Sequence, residues 1–177
     1  APISSSEAGA KNDGENLSAG VQYFLSMGEQ YNISTELGVS WNYVYGGVRY
    51  RHLHPLFGSS WDGRFTNRLR YYSDDGWENK ASYDLERHFS DRYLFRTIVT
   101  GVFGEANEGI PFSTILRLYQ VLDIDSALLY DIGGYYDTDP ELEVTDVRLR
   151  LRYRQRFYRD WLVLEVSPQL TFPSEYD

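Results

Sequence analysis

The chain contains no cysteine, and only two of its basic residues are lysine, Lys11 and Lys80. The absence of cysteine excludes a disulfide framework, thiolate catalysis and cysteine-held metal sites. No apolar run approaches the ~18 residues of a membrane-spanning helix. Mean hydropathy is −0.49. No stretch repeats at a helical period, no internal linker divides the chain, and no signal peptide is visible. The opening "APISSS" fits a mature start after cleavage as well as an arbitrary one. A net charge of −9 over 177 residues argues against a nucleic-acid partner.

Arginine and tyrosine are abundant instead. Fifteen of the seventeen basic residues are arginine, and there are sixteen tyrosines. Arginine is preferred to lysine where flat, bidentate contact with carboxylate, sulfate or phosphate is needed. In "VRLRLRYRQRF", residues 147–157, every second residue is arginine: Arg148, Arg150, Arg152, Arg154 and Arg156. A period of two is the signature of a strand, and it puts the five guanidiniums on one face. Successive arginines are then about 6.8 Å apart. At an effective dielectric near ~20 they repel by roughly 2 kcal/mol before screening. The column therefore needs water, carboxylates or an anion beside it, and the opposite face needs a core or lipid.

Residues 1–16 read as a polar loop and 17–177 as a single all-β domain. Ten strands of roughly ten residues are predicted at 17–26, 31–41, 44–54, 62–72, 78–88, 92–104, 111–121, 127–137, 145–157 and 161–172. Short connections rich in turn formers join them ("SMGEQ", "SDDG", "FSD", "DIDS", "YRD"), which predicts an antiparallel up-and-down meander. The polar strand faces collect Arg49, Arg51, Arg64, Arg68, Arg70, Lys80, Arg96, Arg117 and the five arginines of the column. Against these thirteen bases stand five acids: Glu36, Asp84, Glu86, Asp131 and Glu165. A chain that is acidic overall thus carries a basic lining on its strands and concentrates its acids in the turns.

Two architectures fit this alternation: a membrane barrel with lipid outside and a wet arginine-lined lumen, or a soluble barrel with an apolar core and a solvated exterior. Three features favour the membrane barrel. The strand length matches a tilted transmembrane strand. Trp41, Trp61, Trp77 and Trp161 all fall next to turns, two at each rim, as an aromatic girdle would. A merely solvated exterior gives no reason to choose arginine over lysine.

The stretches "RHLHPLFGSSWDGRFTNRLRYYSDDGWENKASYDLERHFSDRYLFR" and "VTDVRLRLRYRQRFYRDWLVLEVSPQLTFPSEYD" resemble a family of Gram-negative outer-membrane β-barrel proteins. The resemblance covers about 17–177; it implies an outer-membrane location and a transmembrane barrel, and it brings no activity with it. In character alone, arginines alternating with apolar residues, the chain is also similar to the small oligosaccharide-specific porins, narrow twelve-stranded barrels with arginine tracks. Such barrels keep both termini in the periplasm, whereas placing the short turns "FSD", "DIDS" and "YRD" there leaves both chain ends outside the cell. The end "FPSEYD" lacks the apolar-aromatic closing strand of such barrels. Twelve strands are therefore expected in the complete protein, or else a ten-stranded barrel of unusual orientation.

The expected function is a passive channel for small anions or acidic oligosaccharides, with the twelve arginines above as its lining and the five acids as their partners. The bilayer and lipopolysaccharide are the expected surroundings. The rival readings are a non-conducting scaffold, in which Glu165 and Asp131 knit the arginines together and an envelope protein is the partner, and an outer-membrane lipid hydrolase. For the last, the candidates are His52 and His54 near Ser59 and Ser60, and His88 beside Glu86 and Asp84. No histidine–serine pair of the kind found in barrel lipases is present, and His52 with His54 supplies two ligands, which is not a metal site. No catalytic residue, metal or cofactor is expected. "DTDPELE" (137–143) groups four acids without EF-hand spacing and reads as a solvated acidic loop. "NLS" at Asn16 and "NIS" at Asn32 match a glycosylation pattern that has no meaning in a bacterial envelope.

Overall fold

The structure, a computed structural model, describes residues 18–26, 28, 30–40, 42–56, 60–139, 141–158 and 162–174. Trp41, Ser59 and Trp161 lie outside the described residues, as does the N-terminal loop with Asn16. The strands are β1 (Ser18–Ser26), β2 (Tyr31–Ser40), β3 (Val44–Leu56), β4 (Trp61–Tyr72), β5 (Gly76–Ser90), β6 (Tyr93–Gly104), β7 (Phe112–Val121), β8 (Ser126–Asp137), β9 (Glu143–Tyr158), β10 (Leu162–Val166) and β11 (Gln169–Pro173). Each pairs antiparallel with its neighbour in the chain, and β11 joins β10 on the edge of β9. The meander predicted from the turns is the observed topology.

Two features differ from the sequence reading. The segment 161–172 is not one strand: Ser167 and Pro168 separate β10 from β11, although both run along β9. Proline has no N–H to give the ladder, but its carbonyl still accepts from the Leu151 N–H at 3.1 Å. Strands β5 and β9 are also longer than predicted, at 15 and 16 residues. Gly76 starts β5 early because its φ of 76° closes the "SDDG" turn in a left-handed conformation that side-chain-bearing residues rarely adopt.

The registers sort the side chains onto two faces. One carries Leu37, Val48, Leu69, Val99, Leu116, Ile132, Leu149 and Leu170, which meet each other across successive ladders or on the same parity. The other carries the arginines and their carboxylates. Burial decides which face is enclosed: Leu37 is 69% and Ile132 53% exposed, whereas Asp131 is 6% and Ser34 1% exposed. The apolar side chains point outward and the charged ones point into the curve of the sheet, the reverse of a water-soluble core.

Candidate functional site: the arginine-lined inner face

Strand parity brings all twelve predicted arginines to the inner face. From β3 come Arg49 and Arg51; from β4, Arg64, Arg68 and Arg70; from β6, Arg96; from β7, Arg117; and from β9, Arg148, Arg150, Arg152, Arg154 and Arg156. The ladders then decide which of them acquire carboxylates. Asp131 on β8 lies between β7 and β9, opposite Arg117 on one side and Arg150 on the other. It accepts from Arg117 Nε at 2.6 Å and Nη2 at 3.1 Å, and from Arg150 Nε at 3.0 Å. One carboxylate thus serves two guanidiniums.

Asp84 repeats the arrangement from β5: Arg96 Nη2 donates to it at 2.5 Å from β6, and Arg64 approaches at 3.5 Å from β4. Glu36 on β2 reaches across β3 to form a two-point contact with Arg70 of β4, Nη2 to Oε2 being 2.9 Å. That reach is possible because Gly47 stands between them on β3. A Cβ there would meet the Leu69 carbonyl oxygen at 2.7 Å, Arg70 Cγ at 2.9 Å and Glu36 Oε1 at 3.1 Å. Tyrosine hydroxyls accept further arginine N–H groups, Tyr72 from Arg70 at 3.1 Å and Tyr119 from Arg117 at 3.3 Å. On β9, Glu165 approaches Arg152 at 3.3 Å and the turn residue Asp125 approaches Arg156 at 3.7 Å.

The inner face holds more acid than the five residues read from the sequence. Asp62, Glu78 and Asp146 share the parity of Arg64, Lys80 and Arg148, and Asp146 accepts from Arg148 at 2.6 Å. They were missed because they lie at strand ends, beside the turns; parity alone would have placed them. Tyr135 lies under Arg148 at 4.1 Å from its ring centre, a cation–π contact visible only in the folded chain.

The second group is different. Arg49 and Arg68 stand directly opposite each other across the β3–β4 ladder, and Arg51 lies two residues further along β3. Among the described residues none of the three has a carboxylate within 4 Å. The Nε atoms of Arg49, Arg51 and Arg68 are buried without a hydrogen-bond acceptor, as are those of Arg64, Arg96, Arg148 and Arg152; the lack of an ion pair is what sets the three apart. Three neighbouring guanidiniums, each with an unsatisfied Nε–H, form a positive cluster that suits a carboxylate, sulfate or phosphate group.

The histidines fall elsewhere. His52 and His54 lie on the outward face, His52 stacked on Tyr31 at 4.5 Å and His54 3.0 Å from the Tyr83 hydroxyl. His88 is 66% exposed at the end of β5, 3.6 Å from Glu86. Trp61 opens β4 and Trp77 sits at the start of β5, at opposite ends of the sheet. In "DTDPELE", Asp137 ends β8 and accepts the Thr138 N–H at 2.7 Å, while Pro140 lies outside the described residues.

No protein-family model matches the chain, and no curated protein matches its sequence. Two solved structures share its architecture. A KdgM porin superposes with a TM-score of 0.58 at 10% identity, over 88% of this chain and 87% of that one. KdgM porin in complex with disordered oligogalacturonate gives 0.57 at 10% identity, over 90% of each chain. At this identity the likeness is one of fold: the chain is an all-β, antiparallel, up-and-down β-barrel.

Proposed function

We propose that the chain is a bacterial outer-membrane barrel that conducts small anions, acidic oligosaccharides in particular, passively along its inner arginines. The outward apolar face and strand lengths fit a bilayer, with Trp61 and Trp77 at the two interfaces and lipopolysaccharide among the surrounding lipids. The observation that carries the anion reading is the Arg49–Arg51–Arg68 cluster, where cations face each other and, among the described residues, no carboxylate lies within 4 Å. The other arginines extend it into a track, so that a solute's negative groups pass from one guanidinium to the next, held firmly enough to enter and loosely enough to leave. Oligogalacturonate, bound by the fold neighbour, carries a carboxylate on each sugar, which is the chemistry this cluster matches.

The scaffold reading has its own support. The Arg117–Asp131–Arg150 and Arg64–Asp84–Arg96 bridges fasten neighbouring strands and immobilise four cations. An envelope protein would then be the functional partner. The two readings separate in a planar bilayer under a salt gradient. Stepwise currents whose reversal potential favours anions, with selectivity reduced in Arg49→Gln/Arg68→Gln, support the channel. Insertion without current supports the scaffold. A protein that stays soluble without detergent and never inserts overturns the membrane assignment.

A further inference from the structure

Among the described strand residues, the outward face carries a single Asp, Glu, Lys or Arg, and that residue is Arg87 on β5. Its parity is that of Tyr83 and Leu85, and it stands opposite Phe95 of β6, whose partner on β7 is Leu118. The guanidinium lies over two aromatic rings, 5.3 Å from the ring centre of Trp61 and 4.9 Å from that of Phe89. Those faces hold its plane but accept none of its in-plane N–H groups. Among the described residues it has neither a carboxylate within ion-pair reach nor a side-chain hydrogen bond. Most inner arginines have at least one such partner; Arg87 shares the lack with Arg49, Arg51 and Arg68 but, unlike them, faces outward.

We propose that Arg87, clamped by Trp61 and Phe89, docks the phosphate of an anionic lipid headgroup on the outside of the barrel; this rests on the membrane reading above. The surroundings fit an amphiphile better than a free ion. Phe95 and Leu118 continue the same cross-strand row as apolar surface for an acyl chain. The β5–β6 turn at Asp91 and Arg92 lies a few residues beyond Arg87, where headgroups meet water. A guanidinium on the lipid side costs less when a phosphate accepts two of its donors, and arginine presents them in the fork that a phosphate matches. The Trp–Arg–Phe arrangement pre-orders that fork, so little side-chain entropy is lost on binding.

The test uses the full chain folded in detergent, with folding scored by heat-resistant gel migration. Phosphatidylglycerol is added and the lipid retained per protein is counted by native mass spectrometry. The wild type is expected to retain about fivefold more than Arg87→Gln, with Arg87→Lys between them and the turn variant Arg92→Gln unchanged. Phe89 is 58% exposed, so Phe89→Ala, which opens the clamp, is expected to fold and must also lower retention; it carries the test if Arg87→Gln does not fold. Equal retention by wild type and both variants overturns the site. Displacement of the lipid by millimolar inorganic phosphate overturns the lipid assignment in favour of a free anion. A protein that inserts and conducts but shows no Arg87 dependence sinks this inference alone, whereas a protein that needs no detergent sinks the membrane reading with it.

Discussion

Arg49 and Arg68 face one another across the β3–β4 ladder with no carboxylate to separate them. Like charges directly opposite on a sheet are destabilising, by about 0.2–1 kcal/mol for an exposed pair. The expected outcome is that Arg68→Gln raises the urea midpoint of the folded barrel while weakening its preference for anions. A substitution that lowers both quantities would show that Arg68 has a structural partner and is not held in reserve for a solute.

Asp131 gives the opposite result. It is 6% exposed and shared by Arg117 and Arg150, so Asp131→Asn removes the counter-charge of two part-buried cations. Breaking a buried pair typically costs about 3–5 kcal/mol, and the lower end applies here because Arg150 retains some access to water. The urea midpoint should fall and anion selectivity should rise. A fall in selectivity would mean that Asp131 orders the track, not that it neutralises it.

Gly47→Ala tests the reach of Glu36 across β3. The added methyl meets a backbone oxygen as well as Arg70 and Glu36, so the ion pair must open or the ladder must shift, at a cost of about 1–3 kcal/mol. Chemical denaturation should show the loss. Gly101→Ala, where the nearest atom is 3.5 Å away on the Phe103 ring, should show much less.

Asn67 and Asn79 exchange two amide hydrogen bonds, at 3.0 and 3.2 Å, on the outward face, each satisfying the other. Asn67→Leu alone strands Asn79 against lipid and should cost about 1–3 kcal/mol. Asn67→Leu/Asn79→Leu should recover most of it. A double variant as unstable as the single one would indicate that a further group uses these amides.

At the β7–β8 turn, Asp123 accepts from the Ser126 hydroxyl at 2.6 Å and from the Asp125 N–H at 2.8 Å. These bonds hold its carboxyl below the usual carboxylate range, the Ser126 contact contributing most. A depressed folded pKa stabilises the turn above the unfolded pKa, and this is lost as pH falls through the folded value. Amide exchange at Asp125 and Ser126 should therefore quicken only under strongly acidic conditions, and Asp123→Ala should abolish that pH dependence.

The fold was legible because period-two alternation is unambiguous on β2 and β4, on β5 as far as Glu86 and on β9 from Asp146 onward, where apolar and charged residues keep opposite parities. The break at Ser167–Pro168 was not, because Leu162, Leu164, Val166 and Leu170 keep one parity across it. The arginines were legible as a face, but which of them are compensated was not. That depends on register: Asp131 lies opposite both Arg117 and Arg150, while Arg49 lies opposite Arg68. Arg87 escaped notice for a related reason. The count of charges took only the polar face, where Glu86 was rightly placed, and passed over Arg87, which the parity of β5 puts on the opposite, apolar face.

The strict alternation on β9 also acts as an error check during assembly. A slip of one residue between β8 and β9 would turn five arginines outward and Leu149 and Leu151 inward. In a bilayer each outward arginine costs about 2–4 kcal/mol at mid-depth and less near the interfaces, so the misregistered barrel is worse by on the order of ten kcal/mol. The same side chains that line the inner face therefore discard wrong strand pairings before they can persist.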